Sequence, residues 1–169
     1  MTRTHGSDER QMAHVTASRI KPVLRDIVLE RAAGGVEMPP KQSIYFGAGH
    51  FFQSMIASSK AKGITICKWI GLAPDPAGAN QQSHATILVS EIATGRLLDM
   101  VAGDSITLER TAALSLLAFE LSNKPAPRTM GFIGGGRQAT AHLHAFLDAY
   151  PRIRFARVYE LRRAGGRPF

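Results

Sequence analysis

Apolar positions along this chain follow two different periods, and the points where one replaces the other mark its elements. Between Ser18 and Ala33, Ile20, Leu24, Ile27 and Val28 share a helical face. Pro22 stands near the first turn, where proline is tolerated, and Gly34-Gly35 ends the run. Beyond the extended Met38-Pro-Pro40 connector the period shortens. Ser43–Phe46, Phe51–Ile56, Gly63–Ile70, His84–Ile92 and Arg96–Val101 read as β-strands, the last two joined as a hairpin through Ala93-Thr-Gly95. Asp75–Asn80 is a polar loop between strands. Ser105–Leu121 returns to helical spacing, and Leu108, Ala112, Ala113, Leu116, Leu117, Phe119 and Leu121 spread over more than one face, which predicts a largely buried helix. Met1–Ala17 has no apolar period and reads as a mobile arm.

Pro125-Ala-Pro127 breaks the second helix and opens a different pattern. The apolar run Thr129–Ile133 meets Gly134-Gly-Gly136-Arg-Gln-Ala139, a helical stretch follows, and the short run Phe155–Tyr159 is closed by Glu160. Strand, glycine turn, helix, strand and acid is the order in which a dinucleotide-binding unit is built. The predicted class is therefore α/β: a small mixed α+β domain over residues 18–122, then the first β-α-β unit of a Rossmann-type parallel sheet over 128–160. Residues 161–169 form a basic tail. Two parallel strands and one helix leave apolar surface open, so Leu143, Phe146 and Leu147 should find few partners and Val158 should lie on an edge.

Each loop residue has a mechanical reason to be there. Gly134 permits the tight turn out of the strand, and Gly136 lets backbone N–H groups approach a diphosphate. Ala139 stands where helix and strand must pack closely, and the helix start offers a positive dipole end to phosphates. Glu160, 24 residues after Gly136, has the spacing of the acid that holds a ribose hydroxyl. The competing reading is an ordinary βαβ turn with Glu160 as a solvated strand end. Glu160 favours NAD by repelling a 2′-phosphate, whereas Arg162 and Arg163 could attract one, so NADP stays open at this point.

Charge changes the picture little. Of the net +8, the segment Tyr150–Phe169 supplies +5, with six arginines against Glu160. The basicity is local and not interleaved with aromatics, which argues against nucleic acid as a partner. No apolar run is long enough to span a bilayer, and the polar start Met1–Gln11 is not a secretory signal. A single cysteine, Cys67, allows no internal disulfide and fits a reducing cytoplasm; core packing explains it better than nucleophilic chemistry. His142 and His144 do not share a helical face, and no metal-binding pattern is present.

Four further segments carry a family likeness. Cys67-Lys-Trp-Ile-Gly71, Ser83-His-Ala-Thr-Ile-Leu88, Thr94-Gly95 and Ile106-Thr-Leu-Glu-Arg-Thr-Ala-Ala113 precede the glycine loop in that order. In combination they resemble the ornithine cyclodeaminase and mu-crystallin family, over roughly Met38–Tyr159. The resemblance implies a two-domain, NAD-dependent enzyme of amino or imino acids that forms a homodimer through its first domain. Cyclodeaminases of the family turn ornithine into proline and ammonia, and relatives reduce ketimines or pyrroline carboxylates or oxidise alanine. It also implies roles by position: Lys68 and Arg110 holding the substrate carboxylate and ordering the reacting centre, Lys41 assisting in place of an arginine, Arg137 and Gln138 touching the cofactor, and Glu160 holding the ribose. Local alternatives are that Lys68 extends along apolar surface to solvent, and that Arg110 pairs with Asp104 or Glu109. Family members are about twice as long, so the chain is expected to be a truncated copy: a cyclodeaminase-like enzyme of reduced capability, an imine reductase or alanine dehydrogenase relative, or a non-catalytic oligomerising fragment.

Overall fold

A computed structural model describes residues 6–7, 15–47, 49–74 and 81–160. Two compact units divide them: Asp26–Thr107 with Gly6–Ser7, and Val15–Arg25 with Leu108 onward. The loop at 75–80 and the basic tail lie outside the described residues, as do 1–5 and 8–14 of the N-terminal arm.

The first unit is a sheet of seven strands: β1 (Gly6–Ser7), β2 (Val36–Glu37), β3 (Gln42–Gly47), β4 (His50–Ser59), β5 (Ile64–Pro74), β6 (Gln81–Glu91) and β7 (Leu97–Ala102). They pair in the order β1-β7-β6-β5-β4-β2, with β3 also on β4, and every pairing is antiparallel except β1–β7. All five strands expected from the sequence form, most of them longer at one or both ends. The short β1 and β2 were not legible, because a two-residue strand carries no period and exists only through its partner.

Glycines set the hairpins. Gly63 (φ +65°) lies in the turn between β4 and β5, and Gly95 (φ +70°) follows the turn between β6 and β7. Glu30 fastens the first of these turns. Its carboxylate accepts Ser59 Oγ–H at 2.8–2.9 Å and the Ala61 amide at 3.0 Å. The Ala61 amide, the Ser59 hydroxyl and, more weakly, the Lys62 charge hold the Glu30 carboxyl below its usual range, against a small opposing effect of burial.

Side chains alternate across this sheet. One face carries Met55, Lys68, Ile87 and Val101 in a single cross-strand row, with Ala85 and Ile87 buried. The opposite face leaves Ile44, Phe46, Ile56, Trp69, Leu88 and Met100 exposed. On it Phe52 stacks on Trp69 at 5.8 Å and meets Phe46 edge-on at 6.0 Å.

Two helices run from one unit into the other: α1 (Ala17–Ala32) and α2 (Asp104–Leu121). At the start of α2 the sheet and helix are tied, since Asp104 Oδ1 accepts the Ala85 amide at 2.6 Å and Gly103 N–H donates to Ala85 O at 2.7 Å.

The second unit adds β8 (Thr129–Ile133), α3 (Arg137–Ala149) and β9 (Phe155–Tyr159), with β8 and β9 parallel from Thr129↔Phe155 to Ile133↔Tyr159. Its core begins where alanines let three helices approach: Ala17 of α1, Ala112 and Ala113 of α2, and Ala141 and Ala145 of α3 are all buried together. A second cluster joins Leu116, Phe146 and Ile153, ringed by Phe119, Met130 and Tyr150. The expectation of a largely buried α2 holds for Ala112, Ala113, Leu116 and Leu117, whereas Leu114 and Leu121 are exposed. Phe146 corrects the expectation that it would lack partners. It is buried against Phe119 and Tyr150, with ring centroids 5.6 and 6.1 Å away, because α2 supplies the surface that later strands and helices were expected to provide. Leu147 and Val158 do remain partly exposed, and Ile133, Phe155 and Tyr159 lie open on one face of the two-stranded sheet.

Candidate functional site

The glycine loop sits between the end of β8 and the start of α3, where a parallel sheet opens at the carboxyl ends of its strands. Gly134 has φ +89°, a conformation that L side chains rarely adopt, so the turn requires glycine. Gly136 differs. Its φ of −77° suits any residue, and a Cβ built there meets no protein atom within 4 Å. The fold itself therefore does not demand glycine at 136; a group approaching from outside would.

Gly136 is the N-cap of α3, and no side chain caps the helix. The amides of its first turn thus point outward without a side-chain acceptor, with the positive end of the helix dipole behind them. Two other loop amides are already paired. Gly134 N–H donates to Tyr159 O at 2.8 Å, which extends the β8–β9 ladder, and Gly135 N–H donates to Glu160 Oε1 at 2.9 Å. The structure therefore brings Glu160 to the glycine loop, as the sequence order suggested, but by a direct contact that no spacing rule gives.

Alongside lies a mainly apolar pocket of about 470 Å³ bounded by Met130–Gly134 of β8 and its loop, and by Gly136, Gln138, Ala139, His142 and Phe146 of the loop end and α3, with Ser115 from α2. Gln138 and Ala139 line it, and Arg137 lies exposed at the helix start. Ser115 was not singled out by sequence, and His142 was weighed only as a metal ligand, with His144. His142 Nδ1–H donates to Gln138 O at 2.7 Å, one helical turn back, which leaves Nε2 to accept Ser115 Oγ–H at 2.9 Å. The histidine thus braces the first turn of α3 against α2; the only available signal was the four-residue separation of Gln138 and His142.

The predicted carboxylate-binding residues fall in both units. Lys68 stands at the centre of β5, between Met55 and Ile87, and is partly buried. Lys41 is exposed just before β3. The β3–β4 register begins at Gln42↔Ser54, one residue after Lys41, and Met55 of β4 is paired with Lys68. Arg110 is a partly buried residue of α2 in the second unit. Its two neighbouring acids are engaged elsewhere: Glu109 accepts the Ala17 amide at 2.9 Å and Asp104 the Ala85 amide. Among the described residues no group of three or more His, Cys, Asp and Glu side chains is placed to hold a metal ion, and no helix is long and apolar enough to cross a membrane.

The chain is 29% identical over 135 residues to Delta(1)-pyrroline-2-carboxylate/Delta(1)-piperideine-2-carboxylate reductase of Azospirillum brasilense, covering 78% of this chain and 42% of the relative. It is 31% identical over 120 residues to ketimine reductase mu-crystallin of Mus musculus, covering 69% of this chain and 38% of the relative. It thus spans less than half the length of the relatives it matches. Among solved structures, Delta(1)-pyrroline-2-carboxylate reductase of Thermococcus litoralis, in complex with NADH and L-proline, superposes with a TM-score of 0.79 at 24% identity over 88% of this chain and 46% of that one. The profile of the Ornithine cyclodeaminase/mu-crystallin family matches residues 7–169, and the chain belongs to that family.

Proposed function

We propose that this chain carries the substrate-side sheet and the opening nucleotide-binding unit of an NAD(H)-dependent enzyme that interconverts cyclic imino acids and amino acids. The observation that carries the reading is the loop: a turn that needs glycine at 134, an N-cap glycine at 136 that the fold does not need, and an uncapped helix start behind it. Bound nicotinamide would supply the hydride that reduces a carbon–nitrogen double bond, or accept it in the reverse direction. The amides of the first turn of α3 would hold the diphosphate, Arg137 and Gln138 flank it, and Glu160 would meet the adenosine ribose. By position in the family pattern, Lys41, Lys68 and Arg110 are each of a residue type that suits a carboxylate, the guanidinium by bidentate contact.

Reductase is supported about as well as cyclodeaminase, since the relatives above are named as imine reductases. The lyase reading keeps support from a probable ornithine cyclodeaminase of Bordetella pertussis, which superposes with a TM-score of 0.71 at 26% identity over 87% of this chain and 45% of that one. The exposed sheet face around Trp69, Phe52 and Phe46 is an aromatic surface of the kind that pairs with a second copy, and supports a homodimer. Fluorescence titration with NADH, followed by assay of Δ1-pyrroline-2-carboxylate reduction and of ornithine deamination, tests the reading. Saturable NADH binding is expected, and its absence would overturn it.

A further inference from the structure

The contact between Glu160 and Gly135 has a chemical consequence. An amide that donates to a carboxylate at 2.9 Å is not available to a phosphate oxygen, and the carboxylate brings a negative charge to the place where a diphosphate would come. Glu160 follows β9 directly, and the neighbouring bond from Gly134 N–H to Tyr159 O fastens the same loop to the same strand end. The carboxylate is exposed and not locked by packing, so it can exchange partners.

We propose that Glu160 is a latch that makes the glycine loop select nucleotides over simple anions. The inference rests on the nucleotide-binding reading above and adds to it a competition. Any anion that takes the Gly135 amide must displace the carboxylate. A free phosphate or pyrophosphate brings no diol to the displaced group. A dinucleotide offers it a ribose diol, two hydroxyl donors for a carboxylate that has just lost one amide. The same acid therefore works against inorganic anions and for nucleotides carrying an unmodified ribose.

The test uses the full chain and the variants Glu160→Gln and Glu160→Ala, each titrated with inorganic pyrophosphate by calorimetry and with NADH by fluorescence. Removing one charge about 4 Å from the anion in a water-like medium should tighten pyrophosphate binding about fivefold. Loss of the charged acceptor for the ribose should weaken NADH binding about tenfold. Opposite signs for the two ligands support the latch. If both affinities fall, Glu160 only staples the loop; if pyrophosphate affinity is unchanged or undetectable throughout while NADH affinity falls, it is a ribose contact alone. Either result overturns the proposal. Should pyrophosphate binding rise in the variants while no form binds NADH, exclusion of simple anions by Glu160 stands, but the nucleotide reading fails and the proposed selection with it.

Discussion

Replacing Gly136 with serine separates what the fold needs from what a ligand needs. A Cβ at 136 meets nothing within 4 Å and φ is −77°, so the side chain enters open space without backbone strain. Serine is also a somewhat better N-cap than glycine, and its hydroxyl can accept one of the first-turn amides of α3, so stability should stay level or rise by roughly a few tenths of a kcal/mol. The same hydroxyl and Cβ stand where a diphosphate would approach. Forfeiting one charge-assisted hydrogen bond, roughly 1.5–3 kcal/mol, should weaken NADH binding by about ten- to a hundredfold. Gly134→Ala is the contrasting variant: at φ +89° an L side chain costs about 1–2 kcal/mol of folding stability wherever the ligand is. Urea unfolding followed by fluorescence gives the stabilities, and NADH titration gives the affinities. Undiminished NADH binding by Gly136→Ser would refute the argument, as would a loss of stability equal to that of Gly134→Ala.

Three other outcomes follow from the packing and electrostatics. Leu116→Ala empties a side chain that is 2% exposed between Phe146 and Ile153 and should cost about 2–5 kcal/mol, read as a lowered urea midpoint with little change in slope. The Glu30 carboxyl is held below its unfolded value of 4.5, so its stabilising contribution is complete above that pH and disappears as pH falls through the lower folded value. The hairpin turn at 60–63 should accordingly lose amide-exchange protection in acid, and Glu30→Gln, weaker already at neutral pH, should lack this acid-dependent loss; identical profiles for the two proteins would contradict it. If the proposed dimer uses the aromatic face, Trp69→Ser removes its centre and should shift the species seen by sedimentation toward monomer at micromolar concentration relative to the parent protein.

Local period and turn chemistry made most of the fold legible. The five main strands, the two long helices and the β8–α3–β9 unit each announce themselves by spacing, bounded by Gly34, Pro125-Ala-Pro127 and the glycine loop, because each lies in a stretch long enough to repeat. The glycine turn was legible for a related reason: a tight turn and a helix start each restrict residue type at a fixed offset. The pairing of β1 with β7 and of β2 with β4 depends on chain segments distant in sequence, so no period records it. Tertiary structure alone buried Phe146 beneath Phe119 and Tyr150, left Leu121 in solvent, set Lys68 between Met55 and Ile87, and turned Glu160 onto Gly135. Those outcomes depend on which surfaces meet, and a sequence read one window at a time contains the faces of its elements but not their neighbours.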